Sequence, residues 1–216
     1  MRAFSRLLSL LAVPSVFLSG CSGNGAGVGL SETIPLNELV EEGCYSSVCR
    51  INLGDTVTIE GDGAWVDGRI ISITKGGEFV IDGVLEDGMI YVDSEESVIL
   101  TFAGADITNT KGSVLYGAGS GDITVALAED TLNYFTDGAE YAFDGEKESE
   151  EQDLPCAAIY SCSDLYLTGT GSITVKGNYK DGIYSLCDID IDKCRLDVSA
   201  VRNKVHAEGT LRDLSD

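Results

Sequence analysis

The stretches IYSCSDLYLTGTGSITV, Ile159 to Val175, and IYSLCDIDIDKCRLDV, Ile183 to Val198, are one phrase written twice. Ile159, Tyr160, Ser161, Asp164 and Leu165 recur as Ile183, Tyr184, Ser185, Asp188 and Ile189, each 24 residues on, before a one-residue slip near Cys194. Self-similarity at such a period marks stacked units. Within each copy the apolar residues alternate with polar ones, Leu165, Leu167, Ile173 and Val175 in the first against Ile189, Ile191, Leu196 and Val198 in the second. A period of two is that of a strand with one buried face. Three short strands and three turns consume about 24 residues, one rung of a parallel β-helix, whose inward face is buried only when a neighbour stacks on it. The predicted fold is therefore all-β, a parallel β-helix solenoid rather than a sandwich.

Outward from the repeat the same grammar persists. VTI at 57–59, RIISI at 69–73, FVI at 79–81, MIYV at 89–92, VILTF at 98–102, ADIT at 105–108, SVLY at 113–116 and DITVAL at 122–127 follow one another about every ten residues. Between them stand Gly61-Asp62-Gly63, Gly76-Gly77, Asp82-Gly83 and Asp87-Gly88, residues that supply the positive φ of tight corners. No helix of useful length fits. The acidic run DGEKESEEQD at 144–153 reads as a solvated loop between rungs.

The chain opens MRAFSRLLSLLAVPSVFLSGC, with Arg2 and Arg6 ahead of an apolar run from Leu7 to Leu18 too short to span a bilayer stably. This is the pattern of an export signal, residues 1–20. Leu18-Ser19-Gly20-Cys21 resembles a bacterial lipobox, which makes Cys21 the expected lipidation site and the membrane tether. The expected location is the bacterial envelope, at the outer membrane or cell surface. Residues 21–50 read as a Gly-rich tether followed by an N-terminal cap, and 51–216 as the solenoid. Loss of the signal leaves 12 basic against 36 acidic residues, moving the formal charge from −22 to −24. Such a surface repels nucleic acid and anionic lipid. Acids placed in turns, as Asp-Gly and Asp-X-Asp, point instead to divalent cations. Six further cysteines, Cys44, Cys49, Cys156, Cys162, Cys187 and Cys194, are an even number in an exported chain, so disulfides are the default reading. The shortest loops join Cys44 to Cys49, Cys156 to Cys162 and Cys187 to Cys194, while a Cys162–Cys187 bond between rungs is the alternative. Zinc ligation is disfavoured, because CxxC spacing is absent and His206 is the only histidine.

LNYFTDGAEY at 132–141, DLYLTGTGSITVKGNYKDGI at 164–183 and the closing DIDIDKCRLDVSA together resemble the bacterial β-helix carbohydrate-binding domain family, over roughly 51–208. GNYKDGI at 177–183 is the most specific segment. The resemblance implies a right-handed parallel β-helix, bound calcium, and binding of cellulose or polygalacturonate without catalysis. It makes Asp137 in TDG, Asp164 and Asp188 in the repeated phrase, and Asp181 in KDG the candidate calcium ligands, since calcium takes six to eight hard oxygen ligands. Cys162-Ser163 and Leu186-Cys187 stand where the family phrase carries a lysine and paired aspartates. The chain also stops where relatives continue through more rungs.

The function expected is a surface-anchored, non-catalytic polysaccharide-binding lipoprotein. Binding of anionic polygalacturonate would need calcium to bridge carboxylates. Neutral glucan would meet aromatic rings, for which Tyr160 and Tyr184 are the candidates, with packing inside the solenoid as the competing role. A calcium-dependent polysaccharide lyase is the first alternative. Its base would be Lys176, Lys180 or Lys193, and none of these stands out in the sequence. A structural or adhesive protein that self-associates through an exposed solenoid end is the second.

Overall fold

The computed structural model describes residues 48–142 and 155–214. The signal segment, Cys21, most of the expected tether and cap, Cys44 and the whole acidic run at 144–153 lie outside the described residues. Within them the fold is all-β, eighteen strands with no helix. In chain order these are β1 (Cys49–Leu53), β2 (Thr58–Glu60), β3 (Ala64–Asp67), β4 (Ile70–Ile73), β5 (Gly77–Leu85), β6 (Met89–Val92), β7 (Val98–Thr108), β8 (Leu115–Gly117) and β9 (Ile123–Leu127). They continue with β10 (Leu132–Thr136), β11 (Ala157–Ser161), β12 (Leu165–Gly169), β13 (Ser172–Gly177), β14 (Asp181–Ser185), β15 (Ile189–Asp192), β16 (Arg195–Ala200), β17 (Val205–Ala207) and β18 (Leu211–Asp213). The first strand begins two residues ahead of the boundary expected at 51.

From β8 onward each strand pairs in parallel with the strand three places further along the chain. The seven-stranded sheet runs β17-β14-β11-β8-β6-β4-β3, and the main path of the eleven-stranded sheet runs β16-β13-β10-β7-β9-β12-β15-β18. The two copies of the sequence phrase pair with each other in register: Ile159 with Ile183, Tyr160 with Tyr184, Ser161 with Ser185, and Leu165 with Ile189. Two pairings are antiparallel, β1 with β2 and β3 with β4. The VTI stretch read from sequence as one more parallel strand is thus a reversed strand at the N-terminal end of the sheet.

The inward columns explain why the alternation was so regular. Phe79, Leu100, Val125, Leu167 and Ile191 occupy one register line, each 0–7 % exposed. Every apolar residue on such a line rests on the equivalent residue of the triplets before and after it. No triplet could bury its own inner face alone. Burial of a side chain of this kind stabilises by about 1.5–3 kcal/mol, and one contiguous core runs from Cys49 to Val198.

Corners are held by backbone freedom and by buried amides. Gly83 has φ +92°, and a Cβ there would lie 2.4 Å from the Leu53 carbonyl oxygen. It stands at the register shift that divides β5 into segments facing Val98–Phe102 and Ala105–Ile107. Asn133, 1 % exposed, accepts the backbone N–H groups of Gly104 (3.0 Å) and Ala105 (2.8 Å) and donates to the Ser172 carbonyl (3.1 Å). It thereby ties three successive triplets together with one side chain.

Candidate functional site

The four aspartates expected to hold calcium are placed at corners, but each faces protein donors. Asp137 is 2 % exposed, accepts the Tyr141 hydroxyl (2.7 Å) on one oxygen and receives the Asn178 backbone N–H on the other. Burial pushes its carboxyl pKa above the usual range, and those donors oppose the shift without cancelling it. Asp181 is fully buried and accepts Arg202 through Nε (2.8 Å) and Nη2, and the Asn203 N–H (2.8 Å). Burial acts to raise its pKa, but the Arg202 and Asn203 donors outweigh it and hold the carboxyl below the usual range. Asp164 accepts the Asp188 N–H (3.0 Å), and Asp188 accepts the Thr210 N–H (2.7 Å) and Arg212 Nη2 (2.7 Å). Asp87, which sequence reading passed over, does the same for Thr110 (2.9 Å).

A common rule emerges: a corner carboxylate of one triplet caps a backbone N–H of the next. Among the described residues no group of three or more His, Cys, Asp or Glu side chains converges to hold a metal ion. Asp137, Asp181 and Asp188 have both carboxylate oxygens engaged by protein donors, with a guanidinium among them for Asp181 and Asp188, and Asp164 has one oxygen on the Asp188 N–H.

A different constellation lies on the outer face of the seven-stranded sheet. Tyr91 pairs in register with Tyr116, Tyr116 with Tyr160, Tyr160 with Tyr184, and Tyr184 with His206. Successive ring centroids are 5.4, 5.7, 5.3 and 5.2 Å apart, the first two contacts edge-on and the last two stacked. Toward the N-terminal end the line continues through Ser72, 5 % exposed, to Trp65, 51 % exposed. Exposure along the line is uneven: Trp65 is open, Tyr91 and Tyr116 are partly buried, Tyr160 and Tyr184 are closed, and His206 is partly exposed at the far end.

Tyr160 and Tyr184, the expected sugar contacts, form the closed part. They are 1 % and 8 % exposed and pack with Ala157, Cys156, Cys162 and Leu186. A ring so covered has no face to offer a sugar, so the packing role is the one the structure gives them. The half-exposed Trp65 and the partly buried Tyr91 and Tyr116 on the same line were missed. The signal was present in MIYV, VLYG, AIYS, GIYS and KVHA, where an aliphatic residue, a ring and a small residue recur in each triplet.

Two of the three short-loop disulfide pairs are overturned by the strands between them, the third resting on Cys44 outside the described residues. Cys156 and Cys162 stand at opposite ends of β11, whose five residues alone extend about 16 Å. Cys187 and Cys194 flank β15, about 13 Å of extended chain. Bridgeable cysteines have Cα atoms within about 7 Å. Cys187 instead directs its thiol to the Cys162 carbonyl oxygen at 3.5 Å. Of the lysines weighed as catalytic bases, Lys176 is exposed, Lys180 lies 4.9 Å over the Tyr179 ring, and Lys193 is 3.8 Å from Asp192 on an exposed corner.

A parallel, stacked all-β fold with a line of rings on one face defines a class that comparison makes specific. The solved structure titled polysaccharide lyase-like protein from C. thermocellum, gadolinium derivative, is similar, with a TM-score of 0.62 and 25 % identity over 77 % of this chain and 82 % of that one. The family described as carbohydrate-binding domain-containing protein matches residues 67–212, and the chain belongs to this family. A carbohydrate-binding domain-containing protein of Acetivibrio thermocellus is 30 % identical over 200 residues, 90 % of this chain. The chain spans 64 % of that relative's length.

Proposed function

We propose that this protein is a surface-anchored lipoprotein, lipidated at Cys21, that binds polysaccharide without cleaving it, and that its stacked strands form a right-handed parallel β-helix. The observation that carries the binding reading is Trp65, half exposed at the N-terminal end of the aromatic line, with Ile70 exposed on the same face. Indole and phenol rings present flat apolar faces with polar edges, which suit the C–H faces and hydroxyl rims of sugars. A ring contact needs no cation, so a neutral, cellulose-like glucan is the ligand class this surface favours. Polygalacturonate is itself anionic and would meet a chain of formal charge −22. Its binding requires a divalent cation as bridge.

A second reading, a polysaccharide lyase, has the name of the structural neighbour in its favour. One experiment separates the readings. The chain from Ser22 to Asp216 is incubated with cellulose and with polygalacturonate, with calcium or with chelator, while unsaturated uronide is followed by absorbance. Retention on cellulose that survives chelation and is weakened at least tenfold by Trp65→Ala supports the proposal. Equal retention of the Trp65→Ala chain overturns the assigned surface, and release of unsaturated product overturns the non-catalytic reading.

A further inference from the structure

The strands around Trp65 also carry a nearly buried hydroxyl. β3, β4 and β6 are neighbours in the seven-stranded sheet, and their register sets Trp65 opposite Ser72 and Ser72 opposite Tyr91. Residues directly opposed across a ladder share a face of the sheet. Ile71 and Ile73, on either side of Ser72, belong to the core and are fully buried, so Ser72 lies on the outer face between the two rings. It is 5 % exposed, and its hydroxyl has no hydrogen-bond partner among the described residues. A polar group in that state is costly until something meets it.

The adjoining line on the same three strands is Asp67, Ile70 and Met89. Ile70 is exposed and Met89 partly so. Trp65, Ile70, Met89 and Tyr91 thus surround Ser72, an apolar platform with one hydroxyl at its centre. Acids stand at its rim: Asp67 is exposed, and Asp93 adds to the burial that raises the Tyr91 phenol pKa. Arg69, in the turn between β3 and β4, acts on Asp87 instead. Such a rim accepts sugar hydroxyls and repels uronates. The exposed rings on the eleven-stranded sheet are not built this way. Tyr134 has Asp106 and Thr174 as its neighbours in line, and Tyr166 has Thr124 and Asp190.

We infer that Trp65, Ser72 and Tyr91 hold one extended, neutral, β-1,4-linked polysaccharide chain that runs along the stack, across β3, β4 and β6, rather than along any one strand. This rests on the carbohydrate-binding reading above and gives it a direction and a linkage. Neighbouring strands are about 4.8 Å apart, so the two rings stand roughly 9.6 Å apart along the stack. In a β-1,4-linked chain each residue is turned over relative to the last, so alternate residues present the same face and the chain stays straight. Alternate residues then rest on Trp65 and Tyr91 through their C–H faces, and the residue between them brings a hydroxyl to Ser72. An α-1,4-linked chain curves and cannot lie on both rings at once.

Trp65 is the only tryptophan, so its emission reports on this platform in the unaltered protein. Cellobiose, cellotriose, cellohexaose and maltohexaose are titrated into the Ser22–Asp216 chain and followed by Trp65 emission and by calorimetry. Cellotriose and cellohexaose are expected to change the emission. Cellobiose, too short to reach both rings, binds at least tenfold more weakly than cellotriose, and maltohexaose leaves the emission unchanged. Ser72→Ala weakens cellohexaose binding on the order of fivefold, the loss of one hydrogen bond. Tyr91→Leu weakens it at least tenfold, while Tyr91→Phe and the distant Tyr134→Leu leave it as it was, with circular dichroism melts showing that each variant is folded. Cellohexaose binding that neither Ser72→Ala nor Tyr91→Leu alters, cellobiose as tight as cellotriose, or maltohexaose as tight as cellohexaose would each overturn the direction and linkage while leaving the Trp65 contact standing. No emission change and no heat with any of the cello-oligosaccharides would overturn the carbohydrate-binding reading, and this inference with it.

Discussion

Replacing Arg202 by alanine tests whether corner aspartates act as caps between triplets. Asp181 is fully buried at the head of β14, and three donors reach its carboxylate: Arg202 Nε, Arg202 Nη2 and the Asn203 N–H. Deleting one partner of a buried ion pair costs about 3–5 kcal/mol. The Arg202 side chain is half exposed, so water enters the space it leaves, and the expected loss is about 2–3 kcal/mol. At roughly 2–4 °C per kcal/mol for a domain of this size, the melting midpoint falls by about 4–12 °C at pH 7. The pH dependence fixes the cause. With its folded pKa depressed, Asp181 contributes stability that is present above the unfolded value, about 3.9, and lost as pH falls through the folded value. Without Arg202 burial dominates and the folded pKa rises, so the variant regains stability on acidification. Circular dichroism melts at pH 7 and pH 3.5 should therefore show a gap between parent and variant that is wide at pH 7 and narrow at pH 3.5. Arg202→Lys, which keeps the charge and loses the two-pronged geometry, should fall between them. Coincident melts at pH 7, or a gap that persists unchanged at pH 3.5, would refute the capping role.

Two further outcomes follow from the same geometry. The Tyr160 hydroxyl is buried with no hydrogen-bond partner among the described residues, a cost of about 1–3 kcal/mol; Tyr160→Phe keeps both ring contacts and should raise the melting midpoint by a few degrees, whereas Tyr184→Phe, which loses the bond to Glu208, should lower it. Asp137 has the opposite pH sign to Asp181: its raised folded pKa makes ionisation a cost above that value, relieved as pH falls toward the unfolded one. The urea midpoint of the parent should therefore rise relative to that of Asp137→Asn between pH 7 and pH 4.5, and parallel pH profiles would show that Asp137 is not the group responsible.

The amino-acid sequence by itself determined most strands, the parallel register of the repeated phrase and many of the corners, because these rest on short-range rules; it did not determine the reversal of β2 and β3. A buried face demands alternation, a tight corner demands glycine or aspartate, and a stacked repeat places Ile159 on Ile183 whatever the rest of the chain does. The family resemblance was equally legible in GNYKDGI and its neighbours, but what those residues do was not. Asp181 reads as a metal ligand when seen as an acid in a turn, and its actual partners, Arg202 and Asn203, lie 21 and 22 residues away at positions with no motif of their own. Tyr160 and Tyr184 announced themselves by repetition, yet repetition is blind to which rings of a column are covered. That depends on what packs over the outer face, here Cys156, Cys162 and Leu186. The Cys156–Cys162 and Cys187–Cys194 pairs failed for a related reason: closeness in sequence becomes distance in space once a strand lies between. Periodicity specifies which neighbours share a line. Only the tertiary structure decided which donors reach a buried carboxylate and which rings face solvent, since each depends on groups brought together from different turns of the chain.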